Sequence, residues 1–443
     1  MKIYNSYNDR LEEFKPNHDK QVNMYVCGPT VYNYIHIGNA RPVVFFDTVR
    51  RFFEYQGYQV TYVSNFTDVD DKIIQKAIAE GKDSLDIANR YIDAYLSDLS
   101  ALNCRTDYVK PRVTEYMNHI VTFIDQLVKE GYAYQVNGDV YFSVEKIKDY
   151  GCLSNRRVED LKSGARIEIN EDKQSPLDFT LWKETEVGVT FDSPFSKGRP
   201  GWHTECVAMI DDIFHEKIDI HGGGSDLKFP HHENEIAQSL ALNHHRLANY
   251  WMHNGRLSFQ NAKMSKSLGN VIFVKDVREK MALRYFLLST HYRSPLNYDE
   301  EGFSMYVKEF EKLESSVKQL YRRLDLADQL KEAPIENDEL LAIQSEFVEA
   351  MSNDFNTANA ITALQSLIKQ VNKAIRGRED IGLFQQMVQL MNEMMGVLGL
   401  KVDWIPLQQE DKLMYREWEE ARKQKDFSKA DSLRAELMKR GIV

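Results

Sequence analysis

The alternation of apolar and polar positions divides the chain into an α/β part followed by a helical one. Residues Val22 to Cys27 form an apolar run with strand character, broken by Gly28-Pro29. A helical stretch from Asn39 to Tyr55 follows, closed by Gly57, and Tyr58 to Ser64 returns as a β-branched and aromatic strand. Strand, helix and strand over this length predict one βαβ unit of a parallel sheet, which takes ligands at the carboxyl ends of its strands. Cys27 stands at such an end. Residues Ser84 to Lys129 read as helical, and Tyr132 to Val144, with Asn137-Gly138 between two β-rich runs, as a hairpin. Gly151 to Pro200 is turn-rich and irregular and reads as an insertion packed on the sheet. Strand character returns at Lys217 to Ile220 and, more weakly, at Asn249 to His253, as a second half of the same sheet.

From Met305 the texture changes. Val307, Phe310, Leu313, Val317, Leu320 and Leu324 recur at three- and four-residue spacing and make one apolar helical stripe. Ile361, Leu364, Leu367, Ile368, Val371 and Ile375 repeat the signature, as do Met387, Leu390, Met394, Val397 and Leu398. Joints are expected at Glu332 to Glu339, around Pro334, and at Leu400 to Gln409, around Pro406. Two more helices follow, the second opening with a capping box at Ser428 and Asp431 and closing at Gly441. The fold class expected is α/β: a Rossmann-type parallel-sheet domain over 1–300 with an insertion over 132–200, a helical bundle over 301–400, and a small helical unit over 401–443.

Composition narrows the chemistry. At 443 residues the chain can bury a large core without disulfides, and its four cysteines are too few for a disulfide scaffold, so a special one serves metal binding or catalysis. No apolar run reaches membrane-spanning length, and the amino terminus MKIYNSYNDR lacks a signal-peptide pattern, which makes the cytoplasm the expected compartment. The net charge of −11 denies the protein any bulk attraction to phosphate polymers, so nucleic acid must be held by a local patch. Lys401 to Val443 carries ten basic against nine acidic residues and is the relatively basic end.

His36-Ile-Gly-Asn39 opens the long helix directly after the first strand. Its glycine lets a phosphate approach the backbone, the helix start offers free amides, and the imidazole adds a donor. Alone, such a tetrapeptide is more often a structural loop contact. Lys263-Met-Ser-Lys-Ser267, after the last expected strand, puts two lysines on a short loop that can close over developing phosphoryl charge; a single such pair of lysines is more often a solvated basic loop. His231 and Glu235 are i and i+4 on a helix whose first turn contains Pro230, so both project from one face at ligand spacing. With Cys27 and Cys206 they would complete a two-sulfur, one-nitrogen, one-oxygen set that suits zinc. Buried cysteines and a solvated helix face are the alternative for the same residues.

The pair of signatures, in this order, resembles that of class I aminoacyl-tRNA synthetases. Met24 to Tyr32, Asn65 to Lys72, Gly201-Trp-His-Thr-Glu-Cys206, His221-Gly-Gly-Gly-Ser-Asp-Leu227 and Phe229 to Glu235 then resemble the cysteinyl-tRNA synthetases, from the amino terminus to Tyr298 and more weakly through Asp354-Phe-Asn-Thr357 to the end. The resemblance implies ligation of L-cysteine to tRNA(Cys) through a cysteinyl-adenylate, with ATP and Mg2+ as substrate and one Zn2+ per chain on Cys27, Cys206, His231 and Glu235. It implies catalytic roles for His36, Asn39, Lys263 and Lys266, and ATP binding by Gly38, Gly222, Gly223, Gly224, Asp226 and Lys266. The cysteine pocket would comprise Cys27, Thr67, His231 and Trp202, with Trp202 at its floor, while His203, His221 and His232 would orient the ligands. A thiolate-binding metal would supply the discrimination against serine that pocket shape cannot, making an editing domain unnecessary.

Two departures stand out. Asn39 occupies a position where many class I enzymes have histidine. The chain stops at Gly441-Ile-Val443 where relatives continue with a short segment containing Gly and Trp, so 401–443 reads as a shortened anticodon-binding unit. The protein is expected to act as a monomer. The rival readings are a cysteine ligase that passes the adenylate to an amino sugar, as in mycothiol synthesis, and a silent paralogue binding zinc, nucleotide or RNA. The helical final third argues against the first and the intact Lys263-Met-Ser-Lys-Ser267 against the second.

Overall fold

The computed structural model describes residues 1–156, 172–260, 271–377 and 379–442, with the backbone of Ala262 and Lys263. Its first two strands, β1 (Lys2–Asn5) and β2 (Arg10–Glu13), pair antiparallel. The parallel sheet follows, built from β3 (Gln21–Val26), β4 (Gln59–Val63), β9 (Ile218–Gly224) and β10 (Ala248–Asn254) in the order β10-β9-β3-β4. Met24 lies beside Tyr62 on one flank and Ile220 on the other. The chain leaves β3 toward β4 and leaves β9 toward β10 on the opposite side, so the topology switches between β3 and β9. A crevice opens at such a point beyond the carboxyl ends.

Helix α1 (Ile37–Tyr55) makes the crossover from β3 to β4, starting two residues earlier than the apolar pattern indicates because His36 supplies the cap. Its buried face carries Val44, Phe46, Val49, Phe52 and Phe53. Phe46 lies so close to β9 that a Cβ on Gly222 would sit 2.2 Å from the ring, so no larger residue fits there. The helical stretch expected from Ser84 to Lys129 is interrupted. Helix α2 (Asp71–Glu80) precedes it, α3 spans Ser84–Ala101 and α4 spans Met117–Lys129. Between α3 and α4, Asn103 in the left-handed region and Pro111 break the run.

The insertion is more regular than its turn-rich sequence indicates. Strands β5 (Ala133–Val136), β6 (Asp139–Phe142), β7 (Phe179–Glu184) and β8 (Gly198–Pro200) form an antiparallel sheet in that order. Asn137 (φ 49°) and Gly138 (φ 88°) make its first hairpin turn, as a two-residue connection with positive φ at both positions requires. Beyond β10, β11 (Leu257–Phe259) pairs antiparallel with β12 (Ala262–Lys263) and parallel with β13 (Leu296–Tyr298), so one short strand follows the lysine signature after all.

Six helices complete the described chain: Glu300–Leu326, Asp338–Ser352, Thr357–Gly377, Ile381–Leu398, Gln409–Lys423 and Phe427–Lys439. The last is capped by Asp426, whose side chain accepts from Lys429 N, and not by the expected Ser428. The chain divides into two compact units. One comprises 1–307, 349–359 and 397–399, the other 308–348, 360–396 and 400–443. In the second, Tyr415, Leu437 and Ile442 form a small core with Leu326, Leu407 and Trp418.

Candidate metal centre and nucleotide cradle

Four elements of the first unit converge at the switch point. Cys27 directly follows β3, and Cys206 lies on the helix Trp202–Phe214. His231 lies in a π-helical turn, Lys228–His232, and Glu235 sits in the first turn of the helix Glu233–Leu242. The i, i+4 pair survives the irregular turn, with His231 Nε2 2.9 Å from Glu235 Oε1. Three further separations are 3.7 Å between the two sulfurs, 3.8 Å from Cys206 Sγ to His231 Nε2, and 3.7 Å from Cys27 Sγ to Glu235 Oε1. An ion bonded tetrahedrally to two sulfurs at about 2.3 Å holds them about 3.8 Å apart. The donor types and spacing therefore fit zinc.

The electrostatics favour a cation. Burial opposes a charged Glu235, yet His221 and His231 hold its carboxyl well below the usual range. The Cys27 thiol donates to Cys206 and lowers its pKa to about 6, while burial pushes Cys27 itself up. For His231 burial works against the proton, but Glu235 and Cys206 outweigh it and raise the imidazole to about 10. A cation bound between these groups would displace two protons, one from Cys27 and one from His231, leaving two thiolates, a carboxylate and a neutral imidazole.

A second ring of groups was only partly legible in sequence. Cys27, His221, His232 and Glu235 also bring their donor atoms within 4.8 Å of one another, so the histidines expected to orient the ligands flank the centre directly. His221 Nε2 lies 2.7 Å from Glu235 Oε2, His232 Nε2 3.3 Å from Cys27 Sγ, and His203 Nδ1 3.1 Å from His231 Nδ1. His253, on β10, contacts His232 Nδ1 at 2.8 Å and was not anticipated. Burial keeps His203, His232 and His253 neutral, with His203 and His253 lowered to about 3.

Trp202 is 41 % exposed, and its ring stacks on His231 with centroids 4.1 Å apart. Thr67 is buried and donates to Glu205 Oε2 at 2.6 Å. Glu205, a fully buried acid whose pKa burial raises well above the ordinary value, was also missed. Its adjacency to Cys206 was the only available signal.

The cradle lies at the start of α1. His36 is the N-cap, its Nδ1 accepting from Asn39 N at 3.2 Å, and a Cβ on Gly38 would touch the His36 ring at 3.0 Å. His36 bridges Phe273, and Ile37 N donates to Ile272 O at 2.9 Å, which brings the chain just beyond the lysine signature to the helix start. Lys266 and the Lys263 side chain lie outside the described residues. Gly222, Gly223 and Gly224 end β9, and Asp226 is exposed two residues later.

Comparison with known proteins identifies the family. Residues 13–308 match the family of class I (C) tRNA synthetase catalytic domains, and 346–403 match the DALR domain. The chain is 46 % identical to a cysteine–tRNA ligase of Anoxybacillus flavithermus and 48 % identical to one of Staphylococcus aureus, each match covering 100 % of this chain and 97 % of the relative. In fold it resembles a methionyl-tRNA synthetase of Mycobacterium tuberculosis in complex with methionyl-adenylate, at TM-score 0.60, 15 % identity, and 85 % of this chain against 89 % of that one. A leucyl enzyme of Agrobacterium radiobacter in a ternary complex with tRNA gives TM-score 0.62 at 11 % identity, over 87 % of this chain and 85 % of that one.

Proposed function

Because this chain belongs to the cysteine–tRNA ligases of the class I synthetase family, we propose that Cys27, Cys206, His231 and Glu235 hold one zinc ion that selects its amino acid. The protein ligates L-cysteine to tRNA(Cys) at the expense of ATP. The convergence of those four donors within 4.8 Å is the observation that carries the zinc reading. Bound zinc would supply a bond to the substrate thiolate that a serine hydroxyl cannot match at neutral pH.

The other roles belong to the chain's own groups. Trp202, stacked on His231, walls the pocket, and Glu205 fixes the Thr67 hydroxyl at its edge. The cysteine carboxylate attacks the α-phosphorus of ATP, the bond to the bridging oxygen breaks, and pyrophosphate leaves with Mg2+. His36 and Asn39 at the α1 start donate to the phosphates, and Lys263 and Lys266 stabilise the charge that builds on them. Gly222 to Gly224 let the backbone approach the adenosine, and Asp226 holds ribose hydroxyls or the substrate ammonium. The terminal ribose hydroxyl of tRNA then takes the acyl group and AMP departs. No covalent enzyme intermediate is needed, since positioning and electrostatics carry both steps. The helices of 301–400 and the basic end 401–443 grip the tRNA, with phosphate contacts that weaken as salt rises. The enzyme acts as a monomer in the cytoplasm.

Cysteine-dependent ATP–pyrophosphate exchange and tRNA(Cys) charging, measured in one preparation with Lys266→Ala beside it, test this reading. Lys266→Ala is expected to slow adenylate formation by about a hundredfold or more with cysteine affinity near normal. Lost cysteine affinity at an unchanged chemical rate would contradict the role of Lys266.

A further inference from the structure

Asp354-Phe-Asn-Thr357 lies outside the metal centre and the nucleotide cradle. The structure makes it a strained joint. It connects the helices Asp338–Ser352 and Thr357–Gly377, and two successive non-glycine residues, Asp354 (φ 59°) and Phe355 (φ 48°), occupy the left-handed region. A bulky residue there is rare, and it persists only where the surroundings over-determine it.

The surroundings do so here. Phe355 is fully buried among Phe45, Phe52 and Phe53 of α1, with centroids 6.3, 6.1 and 5.5 Å away. Asp354, 2 % exposed, accepts from Tyr4 N and Tyr292 Oη at 2.8 Å each through Oδ1, and from Arg293 Nε at 2.8 Å through Oδ2. His291 Nε2 is 3.4 Å from the same Oδ2. Thr357 Oγ1 donates to Leu288 O at 2.7 Å, at the end of the helix Lys280–Leu288. One carboxylate thus pins the ledge His291–Arg293.

That ledge meets the cradle through Arg41. This guanidinium, fully buried two residues past Asn39, donates to His291 O at 3.2 Å and to Gly255 O at 2.8 Å, and Gly255 N donates in turn to Tyr292 O at 2.7 Å. Tyr292 also stacks on Phe45 of α1 at 4.2 Å. None of these groups touches the candidate metal centre, and all belong to one compact unit. We propose that Asp354 is a positioning residue for adenylate formation: by holding His291–Arg293 it fixes Arg41, and with it the start of α1 that carries His36 and Asn39. This rests on the reading that His36 and Asn39 meet the nucleotide.

The test compares Asp354→Asn and His36→Ala with the unmodified full chain in cysteine-dependent pyrophosphate exchange and in the single-turnover burst of adenylate. Asp354→Asn keeps an oxygen for Tyr4 and Tyr292 but places a neutral amide against Arg293. The expected result is a fall in adenylation rate of roughly tenfold to a hundredfold, with burst amplitude, metal content and KM for cysteine unchanged within about twofold. A reduced amplitude at an unchanged rate per active site would mean that Asp354 only maintains the fold, and an unchanged rate would exclude any positioning role; either overturns the proposal. If Asp354→Asn fails to fold, Tyr292→Phe and Arg293→Gln each remove one bond. At least one of them should slow adenylation several-fold at full burst amplitude, and no slowing in either overturns the proposal. A normal rate in His36→Ala would defeat the nucleotide reading itself, whereas slowing in His36→Ala alone defeats only the role of Asp354.

Discussion

Two largely buried clusters of charged and polar groups lie in the same unit, and they are built on opposite principles. At the first, Arg284 spends its donors on protein acceptors: Nη2 on Asp47 Oδ2 at 2.6 Å, Nε on Leu398 O at 2.7 Å, and Nη1 on Leu102 O at 2.9 Å and Cys104 Sγ at 3.3 Å. Asp47 also receives Arg51 Nε at 2.8 Å and Arg105 N at 2.9 Å. At the second, the groups around Cys27 and Glu235 stay under-satisfied. Among the described residues, His221 Nδ1 and His253 Nδ1 are buried without a hydrogen-bond partner. Buried polar groups normally find partners, because leaving one unpaired costs about 1–3 kcal/mol. A cluster that closes on itself is structural, whereas one left open is shaped for something the chain does not supply.

Separating stability from function breaks or sharpens that contrast. The largest effect is expected for Arg284→Met, which strands Asp47 in the interior and should cost about 3–5 kcal/mol in urea unfolding while sparing the bound metal of molecules that remain folded. Cys206→Ser should do the reverse. Elemental analysis should find the zinc lost and pyrophosphate exchange about a hundredfold slower, near 2.7 kcal/mol of barrier, while the variant unfolds within about 1 kcal/mol of its parent when both are stripped of metal. If both variants lose stability alike, the distinction between the clusters fails.

A pH series gives a smaller, signed effect. Burial would raise the Asp47 carboxyl, but Arg284 and Arg51 more than reverse this and hold it below its ordinary value. A depressed carboxylate contributes its stability fully above the unfolded value, near pH 3.9, and loses it as the pH falls through the folded one. The urea-midpoint gap between the parent and Asp47→Asn should therefore be flat from pH 8 to about 5 and narrow below about 4. A gap that widens on acidification would reverse the assignment. Smallest of all, Trp202→Ala should raise KM for cysteine only a few-fold with zinc retained, since an exposed stacking partner contributes about 1 kcal/mol. Loss of zinc would show instead that the ring holds His231 in place.

Much of this protein is legible from local pattern. The βαβ unit, the Asn137-Gly138 hairpin and the apolar stripes depend on residues close in sequence, where periodicities of two and 3.6 decide which side chains share a face. The same rule placed His231 and Glu235 together, and the cap at His36 follows from its position at a helix start. Turn-rich composition was a poorer guide, because the strands of the insertion are short and their pairing over long loops leaves no periodic trace.

What no window of sequence contains is the meeting of Cys27 and Cys206, 179 residues apart, or of Cys27 and Glu235, separated by 208. Those contacts exist because β9 pairs with β3, which sets their carboxyl ends side by side. Glu205, His253 and Arg41 likewise acquire their neighbours only from that packing. The signatures and helical spacing determined which chemistry the chain carries. Strand order decided where that chemistry converges, since a sheet joins distant segments through backbone hydrogen bonds that nearly any residue can make and so leaves little mark on residue type.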